Sequence, residues 1–450
     1  MLHHSKLFGC NIHDSIRVES LALKIIDTPE FQRMRNIKQL GLCNHVYPAA
    51  IHTRFEHSIG VYHLTGRMLE KILQQYPDKE YDIPEISETK IKLTGDLVEC
   101  IKIAGLCHDI GHGPFSHVFD NILLKKINHE NKEHENRSML ITEILCKRTL
   151  SDVLTDKHIA FIKSIINPDK HHRGVLYQIV SNSMNGIDVD KFDYLIRDSK
   201  NLGLYIGFNP NRLINEFIID QNDNIAYPKH CSSDIYEMFH SRYMLHKKVY
   251  CHKTVKILEV MLSDIFVIVD KVFKVSETIH NMSEFCTLTD DTIFNYIQLV
   301  TNPLPFFKIV INEPFLTELY EAYNIYQQMI SRKLYRQITE EIDNLDAEAH
   351  FKKFIAYFLK KFPVLNESDF QIIKSKIGFM SENKPDPFES IYFYNKKEDT
   401  KTFITGKKQI TGLMQNESAE THCHLICKKR AMYQIVISEY NEYNKQYFTE

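Results

Sequence analysis

Residues 106–117 read Leu106-Cys107-His108-Asp109-Ile110-Gly111-His112-Gly113-Pro114-Phe115-Ser116-His117. The adjacent histidine and aspartate present an imidazole nitrogen and a carboxylate oxygen, two ligands that suit a divalent cation. The two glycines allow the backbone to turn sharply, and Pro114 suits the first turn of a new helix. The stretch therefore predicts a metal site at a turn between two helices, and the remaining ligands must come from elsewhere in the chain.

The composition is typical of a large, water-soluble globular protein. The chain has 450 residues, of which 43% are hydrophobic and 25% are charged, so it can form a large core and more than one lobe. The 55 Lys and Arg residues nearly balance the 58 Asp and Glu residues, and a net charge of -3 provides no general attraction for nucleic acid. No secretory signal is seen, and no apolar run approaches the roughly 18–20 residues of a membrane span. These features predict a cytoplasmic or nuclear protein with reduced cysteines, neither secreted nor membrane-bound.

Helical periodicity dominates the first 300 residues and predicts a mostly α fold. Thr28-Pro29-Glu30 is typical of a helix start and Gly41 of a helix stop, whereas residues 1–20 look irregular. The predicted helices cover residues 28–39, 53–72, 96–106, 114–124, 136–145, 187–197 and 234–273. Further helices continue to Lys361, and the compositions of residues 391–394 and 402–405 predict strands. We therefore expect a helical catalytic domain over residues 1–300 and a smaller α+β lobe over residues 301–450 that packs on it.

Two further side chains can complete the metal site. His57 lies one turn into the helix predicted from residue 53, and Asp190 lies near the start of the helix predicted from residue 187. With His108 and Asp109 they make two imidazoles and two carboxylates, a set that suits Fe, Mn or Zn with positions left for water. Water activated by such a metal can attack phosphorus at neutral pH. A lone His-Asp pair would instead indicate a helix cap or a surface pair.

Five stretches carry a resemblance to a known family: residues 26–33, 37–41, 54–58, 106–117 and 186–191. They are similar to the HD-domain deoxynucleoside triphosphate triphosphohydrolases, in particular to the vertebrate members that join a sterile-alpha-motif domain to the HD domain. The resemblance is strong from about Lys6 to Lys253 and looser as far as the region of Cys427. It implies a mostly α HD-domain metal-phosphohydrolase core that splits a dNTP into a deoxynucleoside and inorganic triphosphate. The chain begins just before this core, so we expect the sterile-alpha-motif domain to be absent.

The resemblance also implies roles for individual residues. The implied metal ligands are His57, His108, Asp109 and Asp190, and the implied active-site histidines are His112, His117 and His134. His117 is expected to be the general acid, because the departing 5′-oxygen needs a proton at neutral pH. Besides the transition metal, Mg²⁺ is expected to bridge the substrate phosphates.

Two helix faces are predicted to bind the substrate. Asp190, Tyr194 and Asp198 share one face of the helix that carries the metal ligand. Arg242, His246, Tyr250 and Lys253 are predicted to share a face of the long helix over residues 234–273. By the resemblance, the triphosphate falls against Arg54, Lys191, Arg242 and Lys253, with Tyr194, Asp198 and Tyr250 near the sugar or base. Gln39 and Leu40 resemble the pair that packs against sugar C2′, where a tight wall would reject ribonucleotides.

The resemblance further implies regulation by a nucleotide between subunits. The residues that match the family's guanine-nucleotide site are Lys6, Asp27, Gln32 and Arg35. GTP or dGTP as activator and a homodimer or homotetramer are therefore expected, although Gly9-Cys10-Asn11 departs from the family's Asn-Asp-Pro. Ile218, Pro228 and His230 stand where the family has basic residues, and an anion site without its cations is weak. This departure disfavours a second activating nucleotide.

Two alternative functions compete with this interpretation. One is an HD phosphohydrolase that acts on another nucleotide, such as a monophosphate or a guanosine alarmone; the triphosphate cations and the Gln39-Leu40 pair argue against it. The other is a non-catalytic, nucleic-acid-binding HD protein, which predicts the loss of a metal ligand, and none is lost. Separately, His422-Cys423-His424 with Cys427 looks like a zinc cluster, but it lacks a second ligand pair at the usual spacing. We therefore predict that these side chains serve ordinary packing and hold no metal.

Overall fold

Helices dominate the computed structural model, as the sequence predicts. The structure describes residues 5–127, 133–301, 313–379, 386–396, 402–404, 410 and 419–447. The helices are α1 (Ser20–Ile26), α2 (Pro29–Gln32), α3 (Arg54–Gln75), α4 (Gly95–Cys107), α5 (His134–Thr149), α6 (Asp156–Ile166), α7 (Val189–Asn201), α8 (Pro210–Glu216), α9 (Ser232–Leu245), α10 (Lys253–Phe273), α11 (Met282–Phe285), α12 (Thr292–Thr301), α13 (Glu313–Ile330), α14 (Ala347–Lys361) and α15 (Tyr433–Tyr447). The strands are β1 (Lys6–Cys10), β2 (Asp14–Val18), β3 (Glu80–Tyr81), β4 (Ile91–Lys92), β5 (Ile218–Ile219), β6 (Ile225–Pro228), β7 (Arg336–Ile342), β8 (Phe370–Gly378), β9 (Tyr392–Tyr394), β10 (Phe403–Ile404) and β11 (Ala419–Cys427). None of the described helices combines the length and the apolar character needed to cross a bilayer.

The chain forms two compact units whose segments alternate along the sequence. The first unit comprises Met1–Arg242, Ser276–Asp291 and Lys384–Gln415, and the second comprises Tyr243–Val275, Thr292–Asn383 and Asn416–Glu450. The division predicted from the sequence, 1–300 and 301–450, is simpler than this one. It differs because the segment 384–415 returns to the first unit, where β9 runs parallel to β6.

The core of the first unit is built around α3. The start of this helix is fixed by Thr53, whose backbone N–H donates to the Glu56 carboxylate at 3.0 Å. α3 packs against α4 and α7, and α4 packs against α6. The contacting faces are apolar at helical spacing, and Val61, Leu64 and Ile101 are fully buried there. The packing of α3, α4 and α7 is what brings the predicted metal ligands onto neighbouring elements.

The first unit also contains three small sheets. β1 and β2 form an antiparallel hairpin in which Lys6 lies opposite Val18, so the prediction of irregular structure over residues 1–20 is wrong there. The other two are the β3-β4 pair and a four-stranded sheet of order β10-β9-β6-β5. The strands predicted over residues 391–394 and 402–405 are observed as β9 and β10, and Thr405 lies outside the described residues.

The second unit contains an antiparallel sheet of order β7-β11-β8. α14 and α15 contribute to an aromatic core that packs on one face of this sheet and includes Phe351, Phe354, Phe358 and Tyr440. Leu425 of the central strand β11 points into this core, together with Cys423 and Cys427. Because side chains alternate along a strand, the residues between them point to the opposite face.

Two predicted helices in the first unit differ from those observed. The helix predicted over residues 28–39 ends at Gln32, and a 3-10 turn continues over Arg33–Asn36. Pro114 does not start a helix, because Phe115 and Ser116 adopt positive φ angles of 61° and 56°. A turn therefore separates α4 from the next helical segment, which is π-helical over Phe119–Leu124.

The long helix predicted over residues 234–273 is divided. α9 ends at Leu245, a π-helical turn follows over His246–Tyr250, and α10 begins at Lys253. The imidazole of His252 accepts a hydrogen bond from the Thr254 backbone N–H at 3.2 Å and caps the new helix. A π-helical turn widens the hydrogen-bond spacing and shifts the side chains that follow it. The prediction of a single continuous face from Arg242 to Lys253 is therefore wrong.

Candidate metal centre and active site

Four side chains converge where α3, α4 and α7 meet. His57 Nε2 lies 3.1 Å from Asp190 Oδ1 and 3.4 Å from Asp109 Oδ2. His108 Nε2 lies 3.5 Å from Asp109 Oδ1 and 3.5 Å from Asp190 Oδ1. These are the two imidazoles and two carboxylates singled out in the sequence, and the fold brings all four together.

The other nitrogen of each imidazole is already engaged. His57 Nδ1 lies 2.8 Å from Asp193 Oδ2, and His108 Nδ1 lies 2.8 Å from the Gly105 carbonyl oxygen. Both Nε2 atoms are buried, and neither has a hydrogen-bond partner among the described residues. Metal-binding histidines commonly donate one ring N–H to a carboxylate or carbonyl while the other nitrogen binds the ion. A divalent metal therefore fits this group of side chains.

The carboxylates and imidazoles also control each other's protonation. Burial lowers the pKa of His57, but the close carboxylates of Asp190 and Asp193 outweigh it and raise that pKa to about 10. Burial raises the pKa of Asp190, but the close imidazoles of His108 and His57 outweigh it and hold that pKa well below its usual range. Because metal ligands bind in their deprotonated forms, a metal at this position would compete with the protons that these contacts favour.

Asp193 and its partners form a group beside the metal ligands that was not predicted from the sequence. Its Oδ1 accepts from His13 Nε2 at 2.7 Å, and Arg197 Nε donates to its Oδ2 at 2.7 Å. The side chains of Asp193 and Arg197 are fully buried. Gly60 makes room for them, because a Cβ at this position would lie 2.0 Å from Asp193 Oδ1. Asp193 follows Asp190 by three residues and so lies on nearly the same helix face. This spacing could have predicted that Asp193 lies near the metal ligands.

A second group of histidines lies beside the metal centre. The rings of His112 and His134 stack with centroids 3.7 Å apart, and the His117 centroid is 4.8 Å from that of His112. His112 Nε2 lies 3.4 Å from Asp109 Oδ1, which links the two groups. Burial and the charge of Arg54 hold the pKa of His112 well below its usual range. The pKa of His134 is raised, because contacts with Asp120 and Glu135 outweigh the effect of burial.

Two buried arginines hold the loop that carries these histidines. Arg33 donates to the Ile110 carbonyl at 3.1 Å and also to the His112 carbonyl. Arg137 donates to the Gly111 carbonyl at 3.0 Å and pairs with Asp120. Charged guanidinium groups satisfy loop carbonyls that the turn leaves without helical partners. Neither arginine could be given a role from the sequence, because their partners are distant backbone atoms.

Arg54 and Gln39 lie next to the metal centre. The Arg54 guanidinium pairs with Asp109, donates to Ser116 Oγ at 2.9 Å and contacts the Gln39 carbonyl at 3.4 Å. Gln39 is buried, and its side-chain carbonyl oxygen has no hydrogen-bond partner within the described part of the chain. Leu40, its neighbour, is half-buried. The structure therefore brings the predicted phosphate-binding and C2′-facing positions beside the predicted ligands.

α7 presents three further predicted substrate residues. Lys191 Nζ lies 3.2 Å from Asp188 Oδ2, and Asp198 Oδ1 lies 2.8 Å from His52 Nε2. Burial raises the pKa of Tyr194, whereas the charges of Arg242 and Lys191 lower it. Lys191, Tyr194 and Arg242 are thus electrostatic neighbours in the first unit.

The other three predicted substrate residues belong to the second unit. His246 and Tyr250 lie in the π-helical turn with ring centroids 4.8 Å apart. Lys253 is the first residue of α10. These three residues follow α9 in a π-helical turn and a new helix because the long predicted helix is interrupted. The sequence periodicity did not reveal this interruption.

The residues predicted for an activating nucleotide form two polar pairs near the N-terminus. Lys6 Nζ lies 3.0 Å from Asp27 Oδ2, and Arg35 Nε donates to Gln32 Oε1 at 2.8 Å. Arg35 also stacks over the Phe55 ring at 3.5 Å. Lys6, Asp27 and Arg35 are exposed, as a surface nucleotide site requires.

The chain is similar in sequence to known HD-domain proteins. The family model of the HD domain matches residues 54–196. A putative HD domain-containing protein of Acanthamoeba polyphaga mimivirus is 59% identical over 425 residues, which cover 94% of this chain and 93% of that protein. The deoxynucleoside triphosphate triphosphohydrolase SAMHD1 homolog of Dictyostelium discoideum is 32% identical over 95% of this chain and 78% of its own length. The human deoxynucleoside triphosphate triphosphohydrolase SAMHD1 is 32% identical over 94% of this chain and 70% of its own length.

Proposed function

The chain belongs to the SAMHD1 family of HD-domain proteins, and from this premise we propose that it is a metal-dependent dNTP triphosphohydrolase. The proposed reaction converts a dNTP and water to a deoxynucleoside and inorganic triphosphate. The observation that carries the proposal is the pair of buried Nε2 atoms of His57 and His108, which face the carboxylates of Asp109 and Asp190. The relatives named for this reaction support the choice of substrate.

His57, His108, Asp109 and Asp190 would hold the metal. A divalent ion of Fe, Mn or Zn held there would supply Lewis acidity toward the α-phosphate and lower the pKa of a water molecule. Asp193 and the Gly105 carbonyl fix the orientation of the two imidazoles, so that each presents Nε2 to the ion. Asp109 also contacts Arg54 and His112, which couples metal binding to the groups that meet the substrate.

The histidine group would supply the proton that the leaving 5′-oxygen needs. His117 is exposed beside the stacked pair, and by the family resemblance we assign it the role of general acid. His112 and His134 are stacked beside it, and Asp120 favours a proton on His134. The three rings therefore form a site that can hold and move one proton next to the α-phosphate.

Positive and polar side chains would bind the rest of the nucleotide. The proposed triphosphate contacts are Arg54, Lys191, Arg242 and Lys253. Mg²⁺ would accompany the substrate phosphates and offset part of their charge. The proposed sugar and base contacts are Tyr194, Asp198, His246 and Tyr250. Gln39 and Leu40 are proposed to exclude a 2′-hydroxyl, and the buried side-chain oxygen of Gln39 supports a polar wall there.

We also propose that a guanine nucleotide regulates a homo-oligomer of this chain. The exposed pairs Lys6–Asp27 and Gln32–Arg35 offer a cation for phosphate and polar groups for a base.

The experiment that tests the reaction is an assay of the purified protein with each dNTP, with and without Mg²⁺ and GTP. Chromatography should detect deoxynucleoside and inorganic triphosphate in equal amounts, and Asp190→Ala should abolish both. Asp152→Ala is the matched control, because this exposed carboxylate pairs with Lys24 at the surface and is not one of the proposed ligands. Retained dNTP turnover in the Asp190→Ala variant would overturn the assignment.

The same assay separates the alternatives. Release of phosphate or pyrophosphate from another nucleotide would indicate an HD phosphohydrolase of different specificity. Salt-dependent binding of single strands without dNTP turnover would indicate a nucleic-acid-binding protein. Turnover that requires GTP, together with a GTP-dependent increase in mass in solution, would support the regulatory part of the proposal.

A further inference from the structure

One face of the sheet in the second unit carries two histidines and a glutamate. His422 and His424 are two residues apart on β11, so their side chains point to the same face. In the pairing with β7, His424 lies directly opposite Glu340. The register of the two strands therefore brings all three side chains together, away from the aromatic core on the other face.

The distances between these side chains are close to those of a coordination sphere. Glu340 Oε1 lies 2.6 Å from His422 Nδ1 and 3.9 Å from His424 Nε2. The three potential ligand atoms all lie within 4.8 Å of one another. Two ligands of a tetrahedral zinc ion are about 3.4 Å apart. Small side-chain rotations would therefore bring the three atoms to bonding distance from one ion.

His424 lacks the partners that a buried imidazole needs. It is 3% exposed, and neither its Nδ1 nor its Nε2 has a hydrogen-bond partner among the described residues. Leaving a buried polar group without a partner carries a free-energy cost, because the group has lost its bonds to water and gained none in exchange. A cation between His424 and Glu340 would remove this cost, since the ring nitrogen would become its ligand.

His422 is oriented as a metal ligand would be. Its Nε2 lies 2.8 Å from Glu420 Oε1, and Lys247 Nζ lies 2.9 Å from the same oxygen of Glu420. This carboxylate accepts the Nε2–H and leaves Nδ1 directed at Glu340, the arrangement that commonly supports metal-bound histidines. The cation that faces His424 is Lys256, and Glu259 pairs with it at 2.8 Å.

The cysteines suggested by the sequence are not part of this group. Cys423 and Cys427 belong to the aromatic core on the opposite face of the sheet. Successive side chains of a strand point to opposite faces, so the histidines and the cysteines of this stretch lie on different sides of the sheet. Glu340, about 80 residues earlier, joins the histidines where the sequence had suggested the thiols.

We propose that Glu340, His422 and His424 form a second divalent-cation site that prefers zinc and links β7 to β11. Two imidazoles and one carboxylate are a ligand set that zinc uses with water in the fourth position. The site is separate from the HD ligands in sequence and does not depend on the proposed reaction. Its role is structural, because a bound ion would join two strands whose contact otherwise places an unsatisfied histidine in the interior.

Metal analysis of the full chain tests this site. In an Asp190→Ala background, which weakens the HD centre, the protein is loaded with Zn²⁺, freed of excess ion and analysed by mass spectrometry of the metal. We expect about one zinc per chain that is lost in His422→Ala/His424→Ala and retained in Cys423→Ala, the control on the other face of the same strand. Equal zinc content in all three proteins would overturn the proposal.

A second measurement uses the protein that keeps both histidines, so its result does not depend on whether the double variant folds. Co²⁺ bound by two imidazoles and a carboxylate in a tetrahedral site should produce visible absorption bands in the Asp190→Ala protein. Zn²⁺ should remove these bands and raise the melting temperature. Absence of both cobalt bands and bound zinc from this protein would refute the site, whatever the behaviour of the double variant and whether or not the wild type hydrolyses dNTPs.

Discussion

At the scale of single residues, the candidate metal centre depends on side chains outside the four proposed ligands. Asp193 receives hydrogen bonds from His13 and Arg197 and lies 2.8 Å from His57 Nδ1. Its charge and position determine which nitrogen of His57 faces the site. Because these partners come from three parts of the chain, only the folded structure reveals the role of Asp193.

The substitution Asp193→Asn should weaken metal binding by about 10–100-fold, since a neutral amide holds the imidazole less firmly. Competition with a chelator, followed by metal analysis well below the melting temperature, measures the effect. Asp152→Asn, at the exposed pair with Lys24, is the control and should leave the affinity unchanged. Unchanged affinity in Asp193→Asn would contradict a positioning role.

His63 should make the protein less stable in acid. Burial and the nearby charges of His13 and Arg67 lower the pKa of His63 from 6.5 to about 4. Between pH 6.5 and about 4 the unfolded chain binds more protons at this residue than the folded chain, so the free energy of unfolding falls as the pH falls. Urea denaturation at pH 7 and pH 5 should show a smaller loss for His63→Gln than for the wild type. An equal loss in both proteins would show that His63 does not contribute.

The residues whose roles could be predicted are those whose neighbours in the sequence already indicate their chemistry. His57, His108, Asp109 and Asp190 each stand in a distinctive stretch, and their convergence could be inferred from helix patterns and from the family resemblance. The hydrogen bonds that the buried side chains of Arg33 and Arg137 donate to the histidine loop could not be predicted, because the positions of the accepting carbonyls depend on tertiary packing. Arginine in a sequence is usually an exposed residue.

At the scale of elements, the close approach of α3 to α7 can be tested with two glycines of the same helix. A Cβ at Gly60 would lie 2.0 Å from Asp193 Oδ1 and 2.5 Å from Arg197 Nη2, whereas a Cβ at Gly66 would meet nothing nearer than 3.7 Å. Gly60→Ala should therefore destabilise the protein by about 1–3 kcal/mol. Gly66→Ala should stabilise it by about 0.5–1 kcal/mol, because alanine is the better helix former.

Chemical denaturation of both variants gives the sign of each change. Gly60→Ala should also lower metal affinity, since it displaces the carboxylate that holds His57. Destabilisation of similar size in the two variants would mean that α3 tolerates no alanine at either site and that the contact with α7 is not the cause.

Element boundaries were predictable where caps and periodicity agree and not where the backbone departs from regular geometry. The start of α3 at Thr53 was predicted from its sequence and is observed. The π-helical turn over His246–Tyr250 was missed, because the residues on both sides keep a helical pattern of apolar positions. β7, β8 and β11 were also missed, since polar residues on one face weaken the strand signal.

At the scale of the whole molecule, the chain passes repeatedly between the two units. The first unit requires residues 384–415, which supply β9 and β10 to its four-stranded sheet. In this segment Phe388, Ile391 and Phe393 are almost fully buried, and Phe388 packs against Phe239 with ring centroids 5.4 Å apart. A sequence-based division cannot detect such a return, because β-strand pairing over more than 160 residues leaves no local pattern.

A fragment of residues 1–300 should therefore fail to fold stably. It lacks β9, whose Phe393 pairs with Tyr227 of β6, and it lacks three large apolar side chains of the first unit. Burial of each is worth about 1.5–3 kcal/mol, and the sum is comparable to the roughly 5–15 kcal/mol by which a native protein is stable. Residues 243–275 would in addition lose α13, against which α10 packs. Circular dichroism during heating should show a cooperative transition for the full chain and for co-expressed 1–300 and 301–450, but not for 1–300 alone. A cooperative transition of the isolated fragment at the midpoint of the full chain would show that residues 384–415 are dispensable for the first unit.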